Sequence, residues 1–145
     1  MRASSQPHIL IVEDDGDLLE VLQFVLEDEG YQVSTAKGGA EALSMAASKD
    51  VGLVLLDMSM PDIDGTEVAK RLRADPRTAH IRLAIHTGMA ASELRERFSD
   101  YDAFIPKTEE VGELLAAIKA AIEQPMRAAV PPPPGSAAGV GTMEM

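Results

Sequence analysis

The sequence predicts a doubly wound α/β sandwich built on one five-stranded parallel sheet with five helices, and three observations carry that prediction. Short apolar runs recur without alternation at Ile9-Leu10-Ile11-Val12, Val51-Gly52-Leu53-Val54-Leu55-Leu56 and Ile81-Arg82-Leu83-Ala84-Ile85. Runs of this kind suit strands covered on both faces. The segments between them have helical periodicity. The β-α order repeats five times, and right-handed crossovers then put helices on both sides of the sheet.

Each element has a local reason. Ile9 to Val12 is the first strand, ended by the acidic run Glu13-Asp14-Asp15. In the helix that follows, Leu18, Leu22, Val25 and Leu26 share a face, and Gly30 closes it with a left-handed cap. Asp15 reads as a cap or a solvated charge before that helix. Tyr31 to Ala36 is the second strand, and Gly39 to Ser48 an Ala-rich helix. The third strand, Val51 to Leu56, runs into Asp57. Asp62 and Asp64 have the turn chemistry of the loop from Pro61 to Gly65. Asp64-Gly65-Thr66-Glu67 opens the third helix with a capping-box-like pair, and that helix stops before Pro76. The fourth strand ends at His86-Thr87, and a short helix from about Ala91 to Phe98 follows. Ala103 to Ile105 is the last strand. Val111, Leu114, Leu115, Ile118 and Ile122 form the stripe of the last helix, with Thr108 as its N-cap.

Composition bounds the function. A chain of 145 residues with 46% hydrophobic content fits one compact domain with a proper core. That domain is expected over residues 8–123, with a flexible Pro/Gly/Ala-rich tail over 124–145 that includes a polyproline II stretch at Pro131 to Pro134. The absence of cysteine excludes a disulfide scaffold, thiolate metal ligands and a Cys nucleophile. No apolar run approaches the ~20 residues of a membrane span. Met1 to His8 holds one Arg and no hydrophobic stretch, so a cytoplasmic protein is expected, with no membrane partner. With 13 Lys+Arg against 24 Asp+Glu, the net charge of -11 argues against direct nucleic-acid binding. Eight acids and no Lys or Arg lie between Glu13 and Glu29, and most belong to a solvated helix face.

The chemistry gathers where open parallel sheets bind ligands, outside the carboxyl ends of the strands. Glu13 and Asp14 follow the first strand and Asp57 the third. Acids that close together repel one another, which raises their pKa values or calls for a bound cation. A hard divalent ion is the natural partner: Mg²⁺ takes one or two carboxylates and leaves room for a phosphate oxygen. Thr87 and Lys107 add a hydroxyl and an ammonium on the same rim. A carboxylate nucleophile, a divalent metal, a hydroxyl and a lysine are the parts that phosphoryl transfer to an Asp requires.

The segments Ile9 to Asp15, Leu55 to Gly65, Ile85-His86-Thr87-Gly88 and Phe104-Ile105-Pro106-Lys107 together resemble the receiver domain of bacterial two-component response regulators. The resemblance covers residue 8 to about residue 123. It implies a flavodoxin-like sheet of order 2-1-3-4-5. It also implies that Asp57 is the phospho-acceptor, and that Asp14, Asp57, the Ser59 backbone carbonyl and Glu13 (through water) hold Mg²⁺. Thr87 would then hydrogen-bond the phosphoryl group, Lys107 would pair with it, and Phe104 would be the aromatic switch. The implied donor is a sensor histidine kinase or a histidine phosphotransfer protein. The implied output face, made of the fourth helix, fifth strand and fifth helix, would signal to a downstream protein. In this sequence Thr108 follows Lys107 where family members usually have proline, and Thr87 to Lys107 spans 20 residues, which predicts a short fourth helix. The expectation is a stand-alone regulator that assists only its own phosphorylation and dephosphorylation and is not otherwise an enzyme.

Other functions fit less well. An aspartyl-phosphate Mg²⁺-dependent phosphatase would need a second acid two residues after its nucleophile, where Ser59 stands. A flavin or nucleotide binder would need a Gly/Ser/Thr-rich loop where Glu13-Asp14-Asp15 stands. A receiver-like interaction domain with little or no phosphorylation is the remaining alternative, and retention of every key residue type weighs against it.

Overall fold

The computed structural model describes residues 7–125. Along the chain run β1 (His8–Val12), α1 (Gly16–Asp28), β2 (Gln32–Ala36), α2 (Gly39–Ser48) and β3 (Leu53–Leu56). Then come α3 (Gly65–Ala74), β4 (Arg82–Thr87), α4 (Ala91–Arg97), β5 (Ala103–Pro106) and α5 (Val111–Glu123). The strands form one parallel sheet in the order β2-β1-β3-β4-β5. The segment expected as a flexible tail lies outside the described residues from 126 onward.

The unalternating apolar runs have a simple cause, because both sheet faces are covered. Leu10, Val12, Val54, Leu56, Leu83 and Ile85 pack on one side with Ala42, Val68, Leu72 and Leu94 of α2, α3 and α4. Their neighbours Ile9, Ile11, Leu53, Leu55 and Ala84 pack on the other side with Leu19, Leu22 and Leu26 of α1 and Leu114 and Ile118 of α5. Side chains alternate across a strand, so each run feeds two cores at once.

Helix boundaries follow local chemistry. Asp15 caps α1 by accepting hydrogen bonds from the Asp17 and Leu18 amides. Gly30, at φ 97°, takes the left-handed conformation after that helix. Asp64 caps α3 through the Thr66 amide. At seven residues, α4 is the short helix that the spacing predicts.

Four local expectations need correction. The buried stripe of α1 is Leu19, Leu22 and Leu26, while Leu18 and Val25 are half-buried. Val111 is 46% exposed because it sits at the first position of α5, before the stripe turns inward. Thr108 does not cap α5: the Glu109 amide donates to the Pro106 carbonyl, a turn that uses up residues 106–109. Glu110 takes the cap position and shares a capping box with Glu113. Glu67, at the third position of α3, turns forward to Arg71 Nε at 2.9 Å in an i,i+4 pair instead of back toward the cap.

One polar clamp joins α3 to the starts of β4 and β5. Arg73 of α3 donates to the carbonyls of Ala79, Ile81 and Asp100 and to the Asp102 carboxylate at 3.0 Å. Asp102 in turn accepts from the Leu83 amide at 2.8 Å. The chain leaving α4 is thereby fastened to α3 and to the start of β4. Among the described residues, no helix is long and apolar enough to cross a membrane.

Candidate functional site

The parallel sheet delivers β1, β3, β4 and β5 to one rim, and the polar residues just past their ends converge there. The Glu13 amide donates to the Ala36 carbonyl and the Asp57 amide to the Val12 carbonyl, both at 3.0 Å. Both residues are thus held by the sheet's own pairing, and both are buried, 2% and 3% exposed. Asp14 lies beside them on the surface. Glu13, Asp14 and Asp57 bring carboxylate oxygens within 4.8 Å of one another.

Lys107 reaches the rim from the end of β5, where its amide donates to the Thr87 carbonyl at 2.9 Å. Its Nζ stands 3.1 Å from Glu13 Oε1 and 3.3 Å from Asp57 Oδ2. The remaining acceptors are shared with backbone amides: Asp57 Oδ1 takes the Ser59 amide at 3.2 Å, and Glu13 Oε2 the Asp15 amide at 3.2 Å. Thr87 is buried, and its Oγ1 accepts from the Met89 amide at 3.1 Å. Around the mouth stand Asp14, Met58, Ser59, Met60, Met89 and Arg97.

The electrostatics are those of a crowded acidic pocket. Burial, then the Asp57 charge, pushes the Glu13 carboxyl above its ordinary range. Burial alone would lower Lys107. The Glu13 hydrogen bond and the charges of Asp57 and Glu13 outweigh it and hold the ammonium above the usual lysine value. Burial and the nearby Lys107 depress His86 to about 4, against the opposing pull of Asp57, so its imidazole is neutral at pH 7. Three carboxylates face one ammonium, an all-oxygen donor set with negative charge in excess. That set fits a hard divalent cation such as Mg²⁺.

Of the residues singled out from the sequence, Glu13, Asp14, Asp57 and Lys107 form one cluster. Thr87 adjoins it through the Lys107 amide, and Ser59 through the Asp57 carboxylate. Phe104 sits apart, paired with Ile85 in the sheet and packed on the apolar core beneath α2, α3 and α4. Three features escaped the sequence reading. One is the direct Lys107–Glu13 ion pair, and another is the burial of His86. The third is Asp62, read as a turn residue, whose carboxylate reaches across to α2. All three depend on long-range neighbours that no local pattern announces.

Known proteins match this arrangement. The model of the response regulator receiver domain matches residues 9–119. An uncharacterized transcriptional regulatory protein of Bacillus subtilis is 40% identical over 81% of this chain and 51% of its own length. The regulator RpaA of Synechocystis is 31% identical over 81% of this chain and 50% of its own. The chain therefore spans about half the length of these curated relatives. Among solved structures, a CheY-like receiver domain from Methanospirillum hungatei is 30% identical with a TM-score of 0.76, covering 82% of this chain and 95% of that one. The response regulator TrrA of Thermotoga maritima, solved in complex with Mg²⁺ and BeF, is 30% identical with a TM-score of 0.73, covering 80% and 99%. The matched segment, the sheet order and the acidic rim agree, and the chain belongs to the response regulator receiver domain family of two-component signalling.

Proposed function

We propose that this chain accepts a phosphoryl group on Asp57, in a Mg²⁺-dependent reaction, from the phosphohistidine of a sensor kinase or phosphotransfer protein. Receiver domains bind Mg²⁺ at their acidic pocket and pair with such donors. The observation that carries the reading for this chain is the convergence of three carboxylates within 4.8 Å of one another beneath a single bridging lysine.

The Asp14 and Asp57 carboxylates and the Ser59 carbonyl would hold the ion directly, and Glu13 through water. When bound, Mg²⁺ supplies charge neutralisation that lets a phosphoryl group approach the acids. A carboxylate oxygen of Asp57 attacks phosphorus, the P–N bond breaks, and its electron pair leaves on the donor imidazole. Lys107 exchanges a carboxylate partner for a phosphoryl oxygen. The Thr87 hydroxyl, an acceptor for the Met89 amide, turns its own proton to that group. Phe104 follows Thr87 inward, and the α4-β5-α5 surface shifts. The change signals only if a partner binds the two forms with different affinity. Members of this family act as signalling phospho-acceptors, and we read this chain the same way. A free-standing receiver role draws support from a 14.6 kDa relative in Leptolyngbya boryana, 37% identical over 81% of its length.

The test is phosphate incorporation from acetyl phosphate, followed by intact mass with and without Mg²⁺. One phosphoryl group per chain is expected, dependent on Mg²⁺ and lost in Asp57→Asn. A folded wild type that gains nothing, either from acetyl phosphate or from a phosphorylated histidine protein, would overturn the proposal in favour of a non-phosphorylated interaction domain.

A further inference from the structure

The loop between β3 and α3 carries Ser59, and its path depends on a contact outside the acidic cluster. Its base is closed by the Gly65 amide, which donates to the Met58 carbonyl at 3.1 Å. Its apex is tied down by Asp62. That side chain accepts from the Gly39 amide at 2.9 Å (Oδ1) and from the Ala40 amide at 3.2 Å (Oδ2), the first turn of α2. The helix cannot cap itself, because its N-cap is Gly38, which offers no side-chain hydrogen bond. Asp62 supplies that cap from 23 residues away.

The surrounding geometry is cut to this contact. A Cβ on Gly38 would lie 2.9 Å from Asp62 Oδ2, and one on Gly39 2.8 Å from Ile63 Cβ and 2.6 Å from Val68 Cγ2. Two successive residues without side chains therefore let α2 seat directly on the loop. Amide donors hold the exposed Asp62 carboxyl at about 2, with Gly39 the strongest contributor, so the brace stays ionised across the working range. Among the described residues, hydrogen bonds from 59–63 to any element other than β3 and α3 come from Asp62 alone.

We infer that Asp62 is a positioning residue for the divalent-cation site: it pins the β3–α3 loop to α2 and thereby holds the Ser59 backbone carbonyl in place for the ion. The inference rests on the reading of the acidic rim given above. Outer partners that orient metal ligands commonly change metal affinity by about 10–100-fold when removed. Here the effect passes through a backbone carbonyl, which belongs at the lower end of that range.

Calorimetric titration of the full chain with Mg²⁺ tests it. Asp62→Ala should bind Mg²⁺ about tenfold more weakly than the wild type. Asp62→Asn, which keeps an acceptor oxygen, should recover part of that loss. Gly38→Ala should displace the carboxylate and reproduce the defect, and the double variant should be no weaker than either single one, since both remove the same contact. In the acetyl phosphate reaction the half-saturating Mg²⁺ concentration should rise by the same factor, with the maximal rate retained. Glu113→Ala, which loses the α5 capping box, serves as a control that lowers the melting temperature and leaves Mg²⁺ affinity unchanged. Wild-type affinity in a folded Asp62→Ala would overturn this inference alone, and so would an equal loss in Glu113→Ala. A wild type that binds no Mg²⁺ would overturn the functional reading itself, and this inference with it.

Discussion

Lys107, at the end of the edge strand β5, forms an ion pair with Glu13 at 3.1 Å, although β3 and β4 lie between their strands. The same ammonium pairs with Asp57 at 3.3 Å, so it occupies the place where a metal's charge would be felt. Lys107→Met removes that competitor while leaving the acids in position. Mg²⁺ should then bind about fivefold more tightly, on the order of 1 kcal/mol of relieved repulsion across a screened pocket. Phosphate incorporation should nevertheless slow by about 10²-fold, the usual cost of losing a group that stabilises the transferring oxygens. Calorimetry and intact mass would check the two halves, and weaker Mg²⁺ binding would contradict the first.

His86 gives the fold a pH dependence of known sign. Its folded value is about 4, against 6.5 for a free histidine, chiefly through burial. The unfolded chain therefore binds the proton more readily, so stability is full above pH 6.5 and is lost as the pH falls toward 4. Between pH 7 and pH 5 the loss from this group is about 2 kcal/mol. Urea melts of the metal-free protein should show His86→Leu losing that much less than the wild type over the same interval. Glu13, raised by burial, acts in both proteins and drops out of the difference.

The Arg73 clamp predicts a stability defect remote from the acids. The Arg73 and Asp102 side chains are 10% and 15% exposed, and Asp102 also receives the Leu83 amide. Asp102→Ala should cost about 3 kcal/mol, as for other broken pairs that are largely buried. A lowered urea midpoint with an unchanged slope would register it. Asp102→Asn, which keeps an acceptor for Leu83, should fall between the two.

Gly65 and Gly88 should respond in opposite ways to the same methyl group. A Cβ at Gly65 would meet the Asp57 carbonyl oxygen and Met58 Cα at 2.5 Å, both backbone atoms, while one at Gly88 meets nothing within 4 Å. Gly65→Ala should therefore destabilise by about 1–3 kcal/mol and impair phosphate incorporation. Gly88→Ala should melt like the wild type, within about 0.5 kcal/mol. Thermal melts of the pair would distinguish them.

Much of this molecule was readable because its signals are local. Buried parallel strands leave unbroken apolar runs, and the acids that matter directly follow those runs, so β1, β3, Glu13, Asp14 and Asp57 could be placed without coordinates. Helix faces were harder where apolar residues are plentiful. In α1, Leu18, Leu19, Leu22, Phe24, Val25 and Leu26 offer more than one stripe, and packing on β1 and β3 selects Leu19, Leu22 and Leu26. Phe24 remains 69% exposed. The α5 cap was misplaced because Thr108 is a good cap by type, yet the turn after Pro106 absorbs it. The Asp62 brace was out of reach because its partners are amides 22 and 23 residues away, and amides have no sequence signature.

The acids and the lysine are not equally secure in the sheet. Glu13 and Asp57 extend β1 and β3, each flanked by strands on both sides, whereas Lys107 extends a four-residue strand with β4 as its single neighbour. Fraying begins where ladders are one-sided. Transient detachment of β5 would carry the positive charge away while the negative cluster stays assembled, leaving a pocket that is briefly more attractive to cations. Amide hydrogen exchange should then be faster along Ala103 to Ile105 than along the central strands β1 and β3, and added Mg²⁺ should slow it less there than at Glu13 and Asp57.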